Sequence, residues 1–330
     1  MRFRILWLAF ALLLPVAQAS ATELTGRIFV SNEWEHTLSV IDPDSHEVIK
    51  TFDVGQRPRD MGFSLDGTKL YVALGIDDQI AIVDPYEMEV IRKIPGGIDP
   101  EAFTVHPQSG HIYVSNEATA QLMQIDPEKG EIVRAIDVGL EPEGVVSTPV
   151  GDYIAVVSES SHMVHLISWP DHEVVANILV GTRPRELTPS YDGKLLYVTS
   201  EVAGEIAIID IEQREVVERK RFGSRQARPK DVRKNRDGTK LFVAMGRQNV
   251  VSVLDAETLE LIDEIDVGYR VWGLGTDRER TVMYATNGES DDVSVIDMET
   301  LEVTNTIAVG EAPWGVIVHD WSTDTRLPGR

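Results

Sequence analysis

Residues 58–97 read PRDMGFSLDGTKLYVALGIDDQIAIVDPYEMEVIRKIPGG. Asp66-Gly67 is a hairpin-turn signal. Asp84-Pro85 ends a strand, because proline fixes φ and cannot continue a ladder. The intervening runs alternate β-branched or aromatic residues with polar ones, which favours strands. The stretch predicts a four-stranded antiparallel unit with strands at Pro58 to Ser64, Lys69 to Leu74, Gln79 to Asp84 and Met88 to Ile94.

Copies of this unit fill most of the chain. Their third strands end at Asp42, Asp84, Asp126, Ser168, Asp210, Asp255 and Asp297, in steps of 42 residues with one step of 45. A glycine follows about 13 residues after each mark, at Gly55, Gly97, Gly139, Gly181, Gly223, Gly268 and Gly310. A period in the forties with four strands per copy is typical of a propeller blade. The sequence therefore predicts an all-β, seven-bladed β-propeller.

The two ends of the repeat array are complementary. Residues 27–32 read as a second strand with no first strand before it, and residues 314–319 read as a first strand with nothing after it. The C-terminal strand is predicted to join the N-terminal blade, which removes the exposed edges of an open array. We expect one domain over 20–330, with blades at about 27–319 and a short tail at 320–330.

Residues 1–19 have the pattern of a secretory signal peptide. A basic start precedes an apolar run, Ile5 to Val16, and the small-x-small site Ala17-Gln18-Ala19. This predicts a periplasmic protein with no stable membrane insertion after cleavage. The chain has no cysteine, which excludes disulfides and thiolate sites. Its net charge of −23 argues against nucleic-acid binding and favours cationic partners.

The second strands carry a recurring tetrapeptide: Phe29-Val30-Ser31-Asn32, Tyr113-Val114-Ser115-Asn116, Tyr197-Val198-Thr199-Ser200 and Tyr284-Ala285-Thr286-Asn287. Together with the Val-Ile-Asp and Val-Gly-x-x-Pro elements, these resemble the YVTN repeat. The whole chain resembles the propellers associated with pyrroloquinoline-quinone (PQQ)-dependent catabolism. That resemblance implies an accessory role beside a quinoprotein alcohol dehydrogenase or a cytochrome c. It makes PQQ one possible cofactor.

A proline follows the glycine by three residues in five copies (Pro58, Pro100, Pro142, Pro184 and Pro313), comes later at Pro229 in a sixth, and is replaced by Val271 in the seventh; we call this position the proline mark. The first candidate site is the residue after the proline mark in each copy, and these residues should converge at the mouth of the central channel. Their chemistry varies while their neighbours do not, which favours a lining that faces solvent or a ligand. Trp272 and Trp314 come from adjacent blades and are interpreted either as a platform for a planar group or as a plug. The set is Arg59, Glu101, Glu143, Arg185, Lys230, Trp272 and Trp314.

The second candidate site ends the second strands on the same face. Four glutamates form a predicted acidic arc, which would either hold Ca²⁺ or remain a solvated rim: Glu33, Glu117, Glu159 and Glu201. His36 and His162 lie in the same loops and are two further possible ligands. The longer loop after Gly223 brings in Arg225 and Arg228, a predicted docking patch for an acidic partner or an anionic ligand.

The sequence contains no nucleophile elbow, phosphate loop, zinc-protease motif or dinucleotide fingerprint. Three interpretations of the function are consistent with these observations. The leading interpretation is a non-catalytic binding or scaffold propeller that holds a partner or small ligand at the channel mouth. The alternatives are a Ca²⁺-dependent lactonase-like hydrolase and a redox carrier with a non-covalent haem or quinone.

Overall fold

The computed structural model describes residues 24–320 of the chain. The predicted signal peptide and nearly all of the predicted C-terminal tail lie outside the described residues. Within residues 24–320, no helix has the length and apolar character needed to cross a membrane.

The described residues form 28 strands and a single turn of 3-10 helix at Glu117–Thr119. The first blades use β1 to β15, which are Ile28–Asn32, Thr37–Ile41, Val48–Asp53, Pro58–Phe63, Leu70–Leu74, Gln79–Asp84, Glu89–Pro95, Pro100–Val105, Ile112–Asn116, Gln121–Asp126, Glu131–Asp137, Pro142–Ser147, Tyr153–Ser158, Met163–Ser168 and Val174–Leu179. The remaining strands, β16 to β28, are Pro184–Pro189, Leu195–Ser200, Glu205–Asp210, Glu215–Arg221, Pro229–Lys234, Lys240–Met245, Val250–Asp255, Leu261–Asp266, Val271–Thr276, Val282–Asn287, Asp292–Asp297, Glu302–Ala308 and Pro313–Val318.

These strands make seven four-stranded antiparallel sheets, which confirms the predicted propeller. The closure is also confirmed, because β28 pairs with β1 in the order β28-β1-β2-β3. Val30 lies opposite Val316, and Ile28 lies opposite Val318. We number the blade closed by both chain segments as blade 1 and follow the chain from there.

The apolar core lies between adjacent blades. Second and third strands are buried, whereas outer strands such as Glu131–Asp137 are largely exposed. One interblade cluster packs Tyr71 and Ile82 of blade 2 against Phe103 and Ile112 of blade 3. Burying each such side chain contributes about 2 to 3 kcal/mol, so the blades stabilise one another rather than folding singly.

Every inner strand carries a β-bulge near its first residue. In blade 2, Pro58 pairs with Leu74 and Met61 pairs with Val72, so Arg59 and Asp60 together face the single residue Ala73. An extra residue leaves backbone groups without ladder partners and turns its side chain out of the regular alternation. The bulge therefore directs the residues after the proline mark toward the channel.

The hydroxyls of the recurring tetrapeptide compensate for this bulge. The Ser115 hydroxyl accepts a hydrogen bond from the Ala102 N–H and donates to the Ala102 carbonyl. Ser31 accepts from the Gly315 N–H and donates to the Arg59 carbonyl of the next blade. These contacts explain why the tetrapeptide places Ser or Thr at its third position, where a buried backbone group needs a partner.

Repeated polar residues at the turns are structural. The Asp42 Oδ1 atom accepts hydrogen bonds from the Asp44 and Ser45 N–H groups. His319 links two blades, because its Nε2 atom donates to the Gly67 carbonyl of blade 2 at 2.8 Å. The ring also stacks on Phe63 with centroids 4.7 Å apart.

We expect His319→Ala to lower the free energy of unfolding by about 2 to 4 kcal/mol, because it leaves a cavity and an unpaired carbonyl. Burial lowers the pKa of His319, so folding favours the neutral ring. Its contribution is therefore lost as the pH falls below about 6.5, where the unfolded state takes up a proton first.

Urea denaturation at pH 7 and pH 5 measures both effects. His319→Gln does not titrate and should show a smaller loss between the two pH values than the wild type. The exposed Glu299→Ala variant is the control, with an expected change under about 0.5 kcal/mol. Equal pH dependence in the wild type and His319→Gln would contradict this account.

Candidate functional site

The seven predicted mouth residues occupy the second position of the inner strands, at the bulge. All of them except Trp272 are buried. Six of the seven therefore do not face open solvent, and the arginines and glutamates among them pair with one another. The alternative of a ligand-facing lining stays a prediction. The set consists of Arg59, Glu101, Glu143, Arg185, Lys230, Trp272 and Trp314.

One group of ion pairs joins blades 1 to 3. Arg59 contacts Glu101 and places its Nη1 atom 2.6 Å from Glu33 Oε1. Arg57 lies directly above and contacts Glu33 at 3.2 Å and Glu101 at 3.1 Å. A buried carboxylate is tolerated only with such partners, and here both arginines supply them.

A second group repeats the pattern across blades 4 and 5. Arg185 contacts Glu159 and lies 3.0 Å from Glu143. Arg183 lies above and contacts Glu159 at 2.8 Å and Glu201 at 3.4 Å. Burial by itself would raise the pKa of Glu143, but Arg185 and the neighbouring cations lower it overall. The predicted acidic arc is thus largely neutralised by arginine.

The last sector of the ring, blades 6, 7 and 1, is cationic and aromatic. The Lys230 Nζ atom lies 4.3 Å from the ring centroid of Trp272 and 5.6 Å from that of Trp314. Arg270 covers Trp272 at 4.8 Å, and Arg59 covers Trp314 at 5.0 Å. The indole Nε1 atoms of both tryptophans are buried without a hydrogen-bond partner. Lys230 therefore contacts both rings.

An open cavity of about 650 Å³ lies above the two indoles. Trp34, whose surface is 72% exposed, forms part of its wall. The charged residues of its lining are one cation, Arg270, and four carboxylates, Glu33, Glu289, Asp291 and Glu311. Both interpretations of the tryptophans stay predictions; the two indoles line this cavity, and Trp314 is only 8% exposed.

Three carboxylates approach one another closely enough to share a cation. Ligand atoms of Asp99, Glu101 and Glu117 lie within 4.8 Å of one another. Of the predicted arc, only Glu117 belongs to this cluster. The Arg57 guanidinium also reaches it, 2.8 Å from Asp99.

The two histidines that were predicted as ligands contact backbone groups through their ring nitrogens. The Nδ1 atom of His36 accepts from the Arg57 N–H, and that of His162 lies 2.6 Å from the Glu159 carbonyl. The two arginines of the predicted docking loop differ in exposure. Arg225 is exposed, whereas Arg228 is half-buried, with its Nη1 atom 3.5 Å from the Glu201 carbonyl.

A second polar layer inside the channel was not predicted. Asp60 accepts from the Met61 N–H and from the Phe103 N–H of the next blade. Asp231 likewise accepts from the Val232 N–H and from the Leu274 N–H of the next blade. It also forms an ion pair with Arg233 at 2.7 Å. These carboxylates join adjacent blades at the bulge.

Glu186 completes the second layer. Burial and Asp231 raise the pKa of Glu186 to about 8, and burial raises the pKa of Asp60 to about 6. A sequence signal existed, because an acidic residue directly follows a basic mouth residue in three blades: Arg59-Asp60, Arg185-Glu186 and Lys230-Asp231.

No protein-family model and no curated protein sequence matches the chain. Solved structures match the fold. A protein of unknown function from Desulfotomaculum acetoxidans has a TM-score of 0.78 at 15% identity, covering 89% of this chain and 98% of that one. A proposed 6-phosphogluconolactonase from Bacteroides uniformis has a TM-score of 0.75 at 16% identity, covering 88% and 98%.

Hydrazine synthase of Kuenenia stuttgartiensis is also similar, with a TM-score of 0.72 at 18% identity and 93% of each chain covered. At these identities the likeness establishes the β-propeller class and no specific role.

We expect Arg59→Ala to lower the free energy of unfolding by about 3 to 5 kcal/mol, because it leaves the fully buried Glu101 with one of its two arginine partners. Lys194→Ala is the matched control, since its pair with Asp192 is exposed and worth under about 1 kcal/mol. Chemical denaturation of both variants measures the difference. Equal losses would show that the mouth network does not stabilise the ring.

Proposed function

We propose that this protein is a periplasmic binding and scaffold propeller that docks a partner protein on its mouth face. The observation that carries the proposal is the 650 Å³ cavity with an aromatic floor and an acidic rim. It lies over blades 7 and 1, on a face whose loops expose apolar side chains. Interfaces place their main anchors in such concave aromatic pockets within an apolar surface.

Six exposed apolar residues lie in loops on the mouth face. The loops from the second to the third strand of each blade and the connections between blades share that face, because the Trp34 N–H bonds to the Glu311 carbonyl and the Ile76 N–H to the Gln56 carbonyl. Exposed apolar residues concentrated on one face mark interaction surfaces better than scattered ones do. The six are Trp34, Ile76, Ile98, Leu140, Val202 and Tyr269.

The charge of the face indicates the partner's chemistry. Glu289, Asp291 and Glu311 are exposed at the cavity rim; Glu289 forms an ion pair with Arg270 at 3.2 Å, and Asp291 accepts from the Ala312 N–H. A basic side chain of a partner would enter this cavity against carboxylates and indole rings, a favourable setting for a cation. Arg225 offers the opposite charge on the connection between blades 5 and 6.

The proposed partners are a quinoprotein dehydrogenase or its cytochrome c, in PQQ-dependent alcohol catabolism. This assignment rests on the resemblance of the repeats and on the signal-peptide pattern. A scaffold role requires no bound cofactor in this chain, so PQQ would be held by the partner.

Replacing Trp34 and Tyr269 together by Ala is expected to weaken binding to the quinoprotein dehydrogenase or its cytochrome at least about tenfold, because exposed aromatics dominate interface energies. Ile91→Ala, an equally exposed apolar change on an outer strand, should leave the affinity unchanged. Titration calorimetry with each purified partner from the same host measures both. Binding that is absent, or equally weakened by Ile91→Ala, would contradict docking at the mouth.

The Ca²⁺-dependent hydrolase stays an alternative prediction, and Asp99, Glu101 and Glu117 are where its ion would bind. We expect 1 mM CaCl₂ to raise the melting temperature by less than about 2 °C relative to EDTA, because Arg57 already pairs with Asp99 and Glu101. A larger shift that disappears in Glu117→Gln, but not in Glu289→Gln, would favour the hydrolase. The non-covalent haem or quinone carrier also stays a prediction.

A further inference from the structure

Lys230 differs from the other charged residues of the mouth ring. It is only 6% exposed, and its Nζ atom lies between two indole rings. Among residues 24–320, no side chain or carbonyl accepts a hydrogen bond from Nζ, and no carboxylate lies within ion-pair distance of it. Arg59 and Arg185, by contrast, each contact two carboxylates. A buried ammonium without an acceptor is costly, so this position favours the neutral amine.

The amine borders a small chamber inside the channel. Lys230, Glu143 and Glu186 line it, and Trp272 and Trp314 line both this chamber and the open mouth cavity. The indoles therefore form the partition between the two spaces. The chamber measures about 30 Å³, which is room for about two water molecules or a molecule of two or three heavy atoms.

Burial and the neighbouring cations favour the uncharged form of this amine, which is the nucleophilic form. Burial, and then Arg185 and Arg59, lower the pKa of Lys230 to about 7, while Glu143 and Glu201 act in the opposite direction. At neutral pH about half of the amine is uncharged, whereas an exposed lysine is almost fully protonated. Glu186, with its raised pKa, retains a proton in the same chamber.

We propose that Lys230 captures small aldehydes covalently and reversibly as an imine. The nitrogen lone pair forms a C–N bond with the carbonyl carbon as the C=O π bond breaks, and one proton passes from nitrogen to the oxygen to give a carbinolamine. The C–O bond then breaks, and the hydroxyl leaves with the second N–H proton as water, which gives the C=N bond; the water oxygen comes from the aldehyde. No oxidant or reductant is consumed. The site is independent of the docking proposed above, because it lies beneath the indoles and not on the exposed face.

Reductive methylation tests the proposal on the whole protein. Formaldehyde and sodium cyanoborohydride are added at pH 7, and each lysine is quantified by peptide mass spectrometry over time. Lys230 should be methylated at least about tenfold faster than the exposed Lys129, whose pKa is raised by its ion pair with Asp126. The preference should vanish in 8 M urea. Trp314→Ala, which opens the partition, should accelerate the labelling of Lys230 in the folded protein.

Lys230→Met supplies the assignment control: it should abolish the fast-labelled site and leave the rate at Lys129 unchanged. Labelling of Lys230 in the folded wild type at or below the rate of Lys129 would overturn the proposal. So would a preference for Lys230 that persists in urea, because it would then owe nothing to the chamber.

Discussion

The bulge in each inner strand is the constraint on which the rest of the structure depends. It places two residues opposite one and leaves backbone N–H groups facing the channel without ladder partners. A serine or threonine hydroxyl accepts from such an N–H group in blades 1 and 7, and the Asp60 carboxylate does so in blade 2. The same bulge brings the second inner-strand residue of every blade to one small ring, where charge must be balanced away from water.

The ring meets that requirement by pairing arginine with glutamate in two similar groups. Arg57 and Arg59 compensate Glu33 and Glu101, and Arg183 and Arg185 compensate Glu159 and its neighbours. A paired buried charge is tolerated, whereas an unpaired one costs several kcal/mol. Lys230 remains between the two groups against indole rings, and within residues 24–320 no carboxylate lies within ion-pair distance of it. The mouth cavity and the chamber meet at this sector, so both proposed sites lie where the ion pairing ends.

The repeat period carried enough information to predict the blades, their strands and the closure of the ring, because one register recurs in every copy. It also brought the seven mouth residues into one set. Their burial could not be predicted, since it depends on the residue before the proline. Arg57 lies at a left-handed φ of 57° and turns back over Glu33, a contact that no linear spacing encodes. The cavity at Trp34 was missed because this tryptophan has no counterpart in the other copies.

The pKa of Lys230 tests the account most directly. Lysines labelled with ¹³C at Cε can be followed by NMR from pH 5 to pH 11, and the Lys230→Arg variant assigns the signal. The account predicts a midpoint near 7, because the ring leaves this amine buried among cations. A midpoint near the ordinary value of about 10.4 would contradict it and would mean that Lys230 is a charged plug held by the indoles.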